Sequence, residues 1–145
     1  MSQAAGLPGP RVFTNGVFDL LHRGHVECLQ RARALGGSLI VGLNSDASVR
    51  ALHKGPERPL NPEADRACVL AALECVSMVV VFEESTPLAL LEALRPEIYV
   101  KGGDYDVQCL PEAALMARWG GRALALPYLA GRSTTALVQR MRAAP

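Results

Sequence analysis

The chain has 145 residues, half of them hydrophobic and a fifth charged, with a formal net charge of +1. That length supports one domain with a proper core, and the composition is ordinary for a globular protein. A near-neutral charge spread along the chain and 5% aromatic residues exclude a nucleic-acid surface, and no apolar run approaches the roughly 20 residues of a membrane helix.

Residues 1–10 hold two prolines, two glycines and no signal-peptide pattern, so they are expected to be a flexible N-terminal tail. Residues 11–145 are expected to form the single domain. Arg11-Val12-Phe13 reads as the first buried strand, and Val26 to Leu35 as a helix with apolar residues at Val26, Leu29, Ala32 and Leu35. Gly36-Gly37 ends that helix before a second strand, Ser38 to Leu43. Asn44-Ser45-Asp46 is capping chemistry for a short helix, Ala47 to Leu52, and His53 to Pro59 is a polar loop. Asn61-Pro62 opens a helix with Pro at its first position, running to about Cys75.

Met78 to Phe82 is continuous and β-branched, as a buried parallel strand should be. Thr86-Pro87 starts a helix through Leu94, and Glu97 to Val100 is the fourth strand. Pro111 to Trp119 is helical, Arg122 to Leu126 is the fifth strand, and Gly131 to Thr135 opens a last helix, Ala136 to Met141. The alternation predicts a three-layer, Rossmann-like α/β domain with a five-stranded parallel sheet, order 3-2-1-4-5. Four cysteines show no CxxC pair, and Cys28, Cys68 and Cys75 fall in helix-like segments as small core residues, which suits a reduced, cytoplasmic protein.

Thr14 to His25, between the first strand and its helix, concentrates the chemistry. Gly16 and Gly24 permit a tight turn or close approach to a ligand. If the helix begins near Gly24, His22 and His25 face one way at its N-terminus, where amides and the helix dipole favour an anion, above all a phosphate. Zinc is the weaker alternative, because the spacing is not that of a zincin and no cysteine stands nearby. Asp19 taken alone is a turn or capping carboxylate. Three further polar segments follow strands two, four and five: Asn44–Lys54, Lys101–Tyr105 and Gly131–Thr135. Ligands bind at the carboxyl ends of such strands.

Gly-x-Phe-Asp-x-x-His-x-Gly-His, Gly16 to His25, resembles the signature of nucleotidyltransferases related to glycerol-3-phosphate cytidylyltransferase. Arg58-Pro59-Leu60-Asn61-Pro62 and Val100 to Tyr105 are similar to the heptose 1-phosphate adenylyltransferase branch, and the likeness runs from Arg11 to Arg142. It implies AMP transfer from ATP to a sugar 1-phosphate with Mg²⁺, for lipopolysaccharide precursor synthesis. It assigns His22, His25 and Lys54 to catalysis. Thr14, Asn15, Gly16, Phe18, Asp19, Gly24, Lys101, Gly102, Asp104, Gly131, Arg132, Ser133 and Thr134 would bind nucleotide, and Asp46 and Arg66 the acceptor phosphate. No resident metal site is implied. A homodimer follows from the same resemblance, and a stand-alone transferase is expected, whereas some relatives are fused to a sugar kinase.

Departures from the pattern are Leu52-His53 before Lys54, Ser77-Met78 before the third strand, and no arginine between Pro127 and Ala130. The last argues against the glycerol-phosphate branch. Other readings are GTP or CTP as nucleotide, glycerol 3-phosphate as acceptor, or a nucleotide sensor without turnover. A dinucleotide-dependent dehydrogenase is disfavoured, since no Gly-x-Gly-x-x-Gly follows the first strand.

Overall fold

A computed structural model describes residues 2–52, 55–127 and 134–143. Five parallel strands, β1 Arg11–Gly16, β2 Ser38–Asn44, β3 Met78–Phe82, β4 Ile98–Gly102 and β5 Arg122–Leu126, form one sheet in the order β3-β2-β1-β4-β5. The helices are α1 Ser2–Ala5, α2 Arg23–Arg33, α3 Asp46–Ala51, α4 Glu63–Ala71, α5 Leu88–Leu94, α6 Pro111–Ala117 and α7 Thr134–Ala143, with a 3-10 turn at Val107–Cys109.

The two faces of the sheet carry separate cores. Phe13, Ile40 and Tyr99 point towards Leu90, Leu91 and Leu94 of α5 and Met116 of α6. Val12, Leu39, Val41 and Val100 pack on the other face with Leu29 of α2 and Leu70 of α4. Adjacent strand residues therefore serve opposite cores, which is why these runs are apolar at every position. β2 is buried at all its positions. β3 was expected to be equally buried, but it forms the sheet edge and its Val81 is 39% exposed.

The segment expected as a flexible tail carries α1, whose Ala4 sits in the core cluster with Phe13 and Tyr99. The following residues are held by Gly37 N–H donating to Pro10 O (2.8 Å) and Ser38 Oγ donating to Pro8 O (2.7 Å). A Cβ at Gly37 would lie 2.5 Å from Gly9 O, so this close crossing requires glycine.

Element ends differ modestly from the expectations. Pro62 is the N-cap of α4 rather than its first helical residue, and α4 stops at Ala71 instead of Cys75. Tight turns replace the last helical stretch, with Leu73 N–H bonded to Leu70 O and Val76 N–H to Leu73 O. Cys28 is buried as expected, Cys75 is half-buried, and Cys68 is exposed on the outer side of α4.

β1 is the central strand, paired with β2 on one side and β4 on the other. Successive strands are added to one side of β1 and then to the other, so its carboxyl end is the topological switch point where an open parallel sheet binds ligands.

Candidate active site

At that end, β1 runs through a six-residue turn, residues 17–22, into α2. His22 is the N-cap of α2, in extended backbone, and its Nδ1 accepts from Gly24 N–H at 3.0 Å. His25 answers by accepting the His22 N–H on its own Nδ1 at 3.3 Å. This is a capping box built from two imidazoles in place of the usual hydroxyl and carboxamide. The rings lie 4.0 Å apart between centroids, and Phe18 packs edge-on against His25 at 5.5 Å.

The capping bonds fix the chemistry of the imidazoles. A Nδ1 that accepts leaves the proton of the neutral ring on Nε2, so that nitrogen is the donor. Burial, and then the charge of His22, push His25 down from 6.5 to about 4. His25 is therefore a neutral hydrogen-bond donor near pH 7. Phe18 holds φ at +49, an unusual value for a bulky residue, and such strain costs about 1–3 kcal/mol. A Cβ on Gly16 would come within 2.9 Å of the Phe18 ring, so the glycine admits Phe18 rather than a ligand.

Asp19 and Arg66 organise the loop beyond the turn. Asp19 is buried, and its two oxygens accept from Leu60 N–H (2.8 Å) and Asn61 N–H (2.9 Å). Asn61 Nδ2 returns a bond to Asp19 O at 2.7 Å. Arg66, 2% exposed, donates to Asn61 O (2.9 Å), Val17 O (2.8 Å), Asn44 O (2.8 Å) and Asp46 Oδ1 (2.7 Å). The guanidinium thus joins the ends of β1 and β2 to the start of α4. Arg66 and Asp46 were expected on the acceptor phosphate, but in this arrangement they are bonded to each other and to backbone. Thr14 is likewise occupied, its hydroxyl donating to Val100 O at 2.7 Å across the β1–β4 pair.

A cleft of about 620 Å3 opens over the strand ends. Of the residues expected there, Asn15, Gly16, Phe18, Asp19, His25, Lys101 and Gly102 line it. Asn15 Oδ1 accepts from the Tyr99 hydroxyl at 2.8 Å, and Lys101 Nζ stands 4.7 Å from the Tyr105 ring centroid. Gly24 is buried within α2, and Asp104 is exposed beyond the cleft lining. Thr134 opens α7, while Lys54, Gly131, Arg132 and Ser133 lie outside the described residues.

Among the lining residues that sequence reasoning missed are Arg58, Thr86, Tyr105 and Glu112. Tyr105 and Arg58 stood within segments already singled out, but only the fold turns them into the cleft. Glu112 is buried, and its Oε2 has no hydrogen-bond partner among the described residues. The described residues contain no cluster of three or more His, Cys, Asp or Glu side chains able to hold a metal. Beside the Asp19 and Glu112 carboxylates, the cleft offers the neutral donor His25 and the cations Arg58 and Lys101, groups that suit phosphate.

Comparison with known proteins gives a consistent result. The cytidylyltransferase-like family profile matches residues 13–139. A D-beta-D-heptose 1-phosphate adenylyltransferase from Bordetella bronchiseptica is 59% identical over 96% of this chain and 86% of that protein. The bifunctional protein HldE of Streptomyces coelicolor is also 59% identical, over 91% of this chain, which spans 28% of that longer protein. Among solved structures, a lipopolysaccharide core biosynthesis protein from Thermoplasma volcanium superposes with a TM-score of 0.68 at 24% identity, covering 82% of this chain and 95% of that one. A pantoate-beta-alanine ligase from Francisella tularensis gives 0.59 at 15% identity, over 92% of this chain and 65% of that one. At those identities the two structures speak for the fold alone.

Proposed function

The chain belongs to the cytidylyltransferase-like family of nucleotidyltransferases, and from that premise we propose that it transfers AMP from ATP to D-glycero-β-D-manno-heptose 1-phosphate, releasing pyrophosphate and ADP-heptose. The 59% identity to a heptose 1-phosphate adenylyltransferase supports this choice of substrates. The product would serve lipopolysaccharide inner-core synthesis, in the cytoplasm, from a homodimeric enzyme. No helix among the described residues is long and apolar enough to cross a membrane.

The observation that carries the mechanism is the reciprocal bonding of His22 and His25. An oxygen of the acceptor's phosphate attacks the α-phosphorus in line, the bond to the β-phosphate oxygen breaks, and pyrophosphate leaves with that electron pair. A phosphate monoester is already nucleophilic, so positioning and charge stabilisation are the main requirements. His25, held neutral with its proton on Nε2, donates to an α-phosphate oxygen without the desolvation cost of a buried imidazolium. His22 donates beside it, and Lys54 adds a positive charge. Ser133, Thr134 and the start of α7 hold the departing pyrophosphate, with Gly131 and Arg132 beside them. Lys101 and Gly102 line the nucleotide end of the cleft.

The chemistry that Mg²⁺ carried on the triphosphate would supply is neutralisation of phosphate charge. The cleft suits a metal carried in this way, since Asp19 has both oxygens on backbone amides and the described residues hold no cluster of three or more metal-ligating side chains.

Pyrophosphate release, measured with ATP, GTP and CTP against heptose 1-phosphate and glycerol 3-phosphate, tests the reading. Release with ATP and the heptose phosphate is expected. Release only with another pair would replace the substrates, and nucleotide binding without release would point to a sensor.

A further inference from the structure

We infer that Arg58 is the side chain that grips the acceptor's phosphate, taking the place expected for Arg66; the inference rests on the adenylyltransferase reading above. Arg58 lines the same cleft as His25, whereas Arg66 lines a separate groove behind Asp19. Arg66 has four hydrogen bonds to protein acceptors, and turning it to a ligand would break the join between β1, β2 and α4.

Arg58 is differently placed. Its side chain is 18% exposed, and its closest acidic neighbour is Asp19 Oδ2 at 3.6 Å, beyond hydrogen-bond length. Leu60 N–H and Asn61 N–H anchor the two oxygens of Asp19, and Arg58 stands against it as an ion pair without a hydrogen bond. The guanidinium makes no hydrogen bond to another described side chain or backbone group, so its planar fork of donors remains available to a phosphate. Meanwhile the loop that carries it is fixed: Asp19 shares one bond with Leu60 and two with Asn61, and Arg58 N–H closes a turn on Gly55 O at 3.2 Å. A cation held near a carboxylate without being consumed by it is preorganised for an anionic ligand.

With Arg66 engaged by the protein, Arg58 is the arginine among the described residues that lines the cleft. The acceptor brings a phosphate whose charge repels that of ATP, and Arg58 offsets this repulsion where the bond forms.

The test is the pair of KM values for acceptor and ATP in the wild type, R58K and R58A, with melting temperatures alongside. R58A should raise the acceptor KM by about 10–100-fold, the worth of one charge-assisted contact, and leave the ATP KM within about twofold. R58K should recover part of the loss, since it restores the charge without the fork. A rise confined to the ATP KM, or no change in either, overturns the proposal. Calorimetric titration of the same proteins with inorganic phosphate provides a readout independent of turnover. If the wild type released no pyrophosphate with any acceptor, the functional reading would fail, and equal phosphate binding by wild type and R58A would then overturn the role of Arg58 as well.

Discussion

The backbone N–H of His22 donates to Nδ1 of His25 at 3.3 Å, so the imidazole that faces the cleft is oriented by the helix that it helps to start. Fold and chemistry are coupled at this point. His25→Ala should lower turnover by about 10²–10³, by analogy with the loss of one oxyanion donor. A folded His25→Ala enzyme with normal turnover, measured by pyrophosphate release, would remove the mechanism's central group.

The same residue gives a pH signature. His25 is lowered from 6.5 to about 4 in the folded state by burial and the nearby His22 charge, so the unfolded chain takes up its proton first. The stabilisation from keeping it neutral is complete above pH 6.5 and is lost as pH falls towards 4. Urea denaturation between these limits should show declining stability in the wild type and a flatter profile in His25→Asn, which cannot titrate. Parallel profiles would mean that other groups govern the decline.

Arg66 makes its prediction through stability. Arg66→Met removes one guanidinium and leaves the carbonyls of Val17, Asn44 and Asn61 and the carboxylate of Asp46 without their partner. Breaking such a buried ionic network costs about 3–5 kcal/mol, read as a large fall in the urea midpoint. A variant of unchanged stability with a raised acceptor KM would restore Arg66 to the phosphate instead.

These cases show why parts of the site were legible in the sequence and others were not. His22 and His25 are three residues apart on one helix end, so local geometry predicts that they converge. The strands were legible because each has an apolar centre between polar or glycine-rich segments. The exposure of Val81 was not, since it depends on β3 having a neighbour on one side only. Asp19 finds its partners 41 and 42 residues away, and Arg66 reaches Val17 across 49. No local pattern announces such pairings: Asp19 alone reads as a turn or capping carboxylate without saying what it caps, and the ligand roles of Asp19 and Arg66 come from the resemblance. Arg58 was overlooked for the converse reason: only the fixed loop carries it to the cleft.

Thr14 offers a small, sharp test of the same point. Thr14→Val keeps the shape but deletes the hydroxyl that donates to Val100 O at 2.7 Å. The expected effect is about 1 kcal/mol of lost stability with the ATP KM unchanged. A raised ATP KM would show that the hydroxyl leaves the strand pair to meet nucleotide.

Glu112 supplies the remaining prediction. Its Oε2 is buried without a hydrogen-bond partner among the described residues, beside a cleft that its own side chain helps to line. Burial of an unpaired carboxylate is costly, and Glu112→Gln, which removes the charge at nearly constant shape, should stabilise the ligand-free protein by about 1 kcal/mol. Tyr99 supplies a second reading. Burial and then the Glu112 charge raise its phenol above the usual range, so the stability of keeping it protonated is present below pH 10 and is lost as pH climbs beyond it. Removing the Glu112 charge weakens that upward shift, so the alkaline decline should be shallower in Glu112→Gln than in the wild type. Denaturation at pH 7 and in the alkaline range measures both effects. A variant less stable at pH 7 and unchanged at high pH would mean that the carboxylate is satisfied in solution.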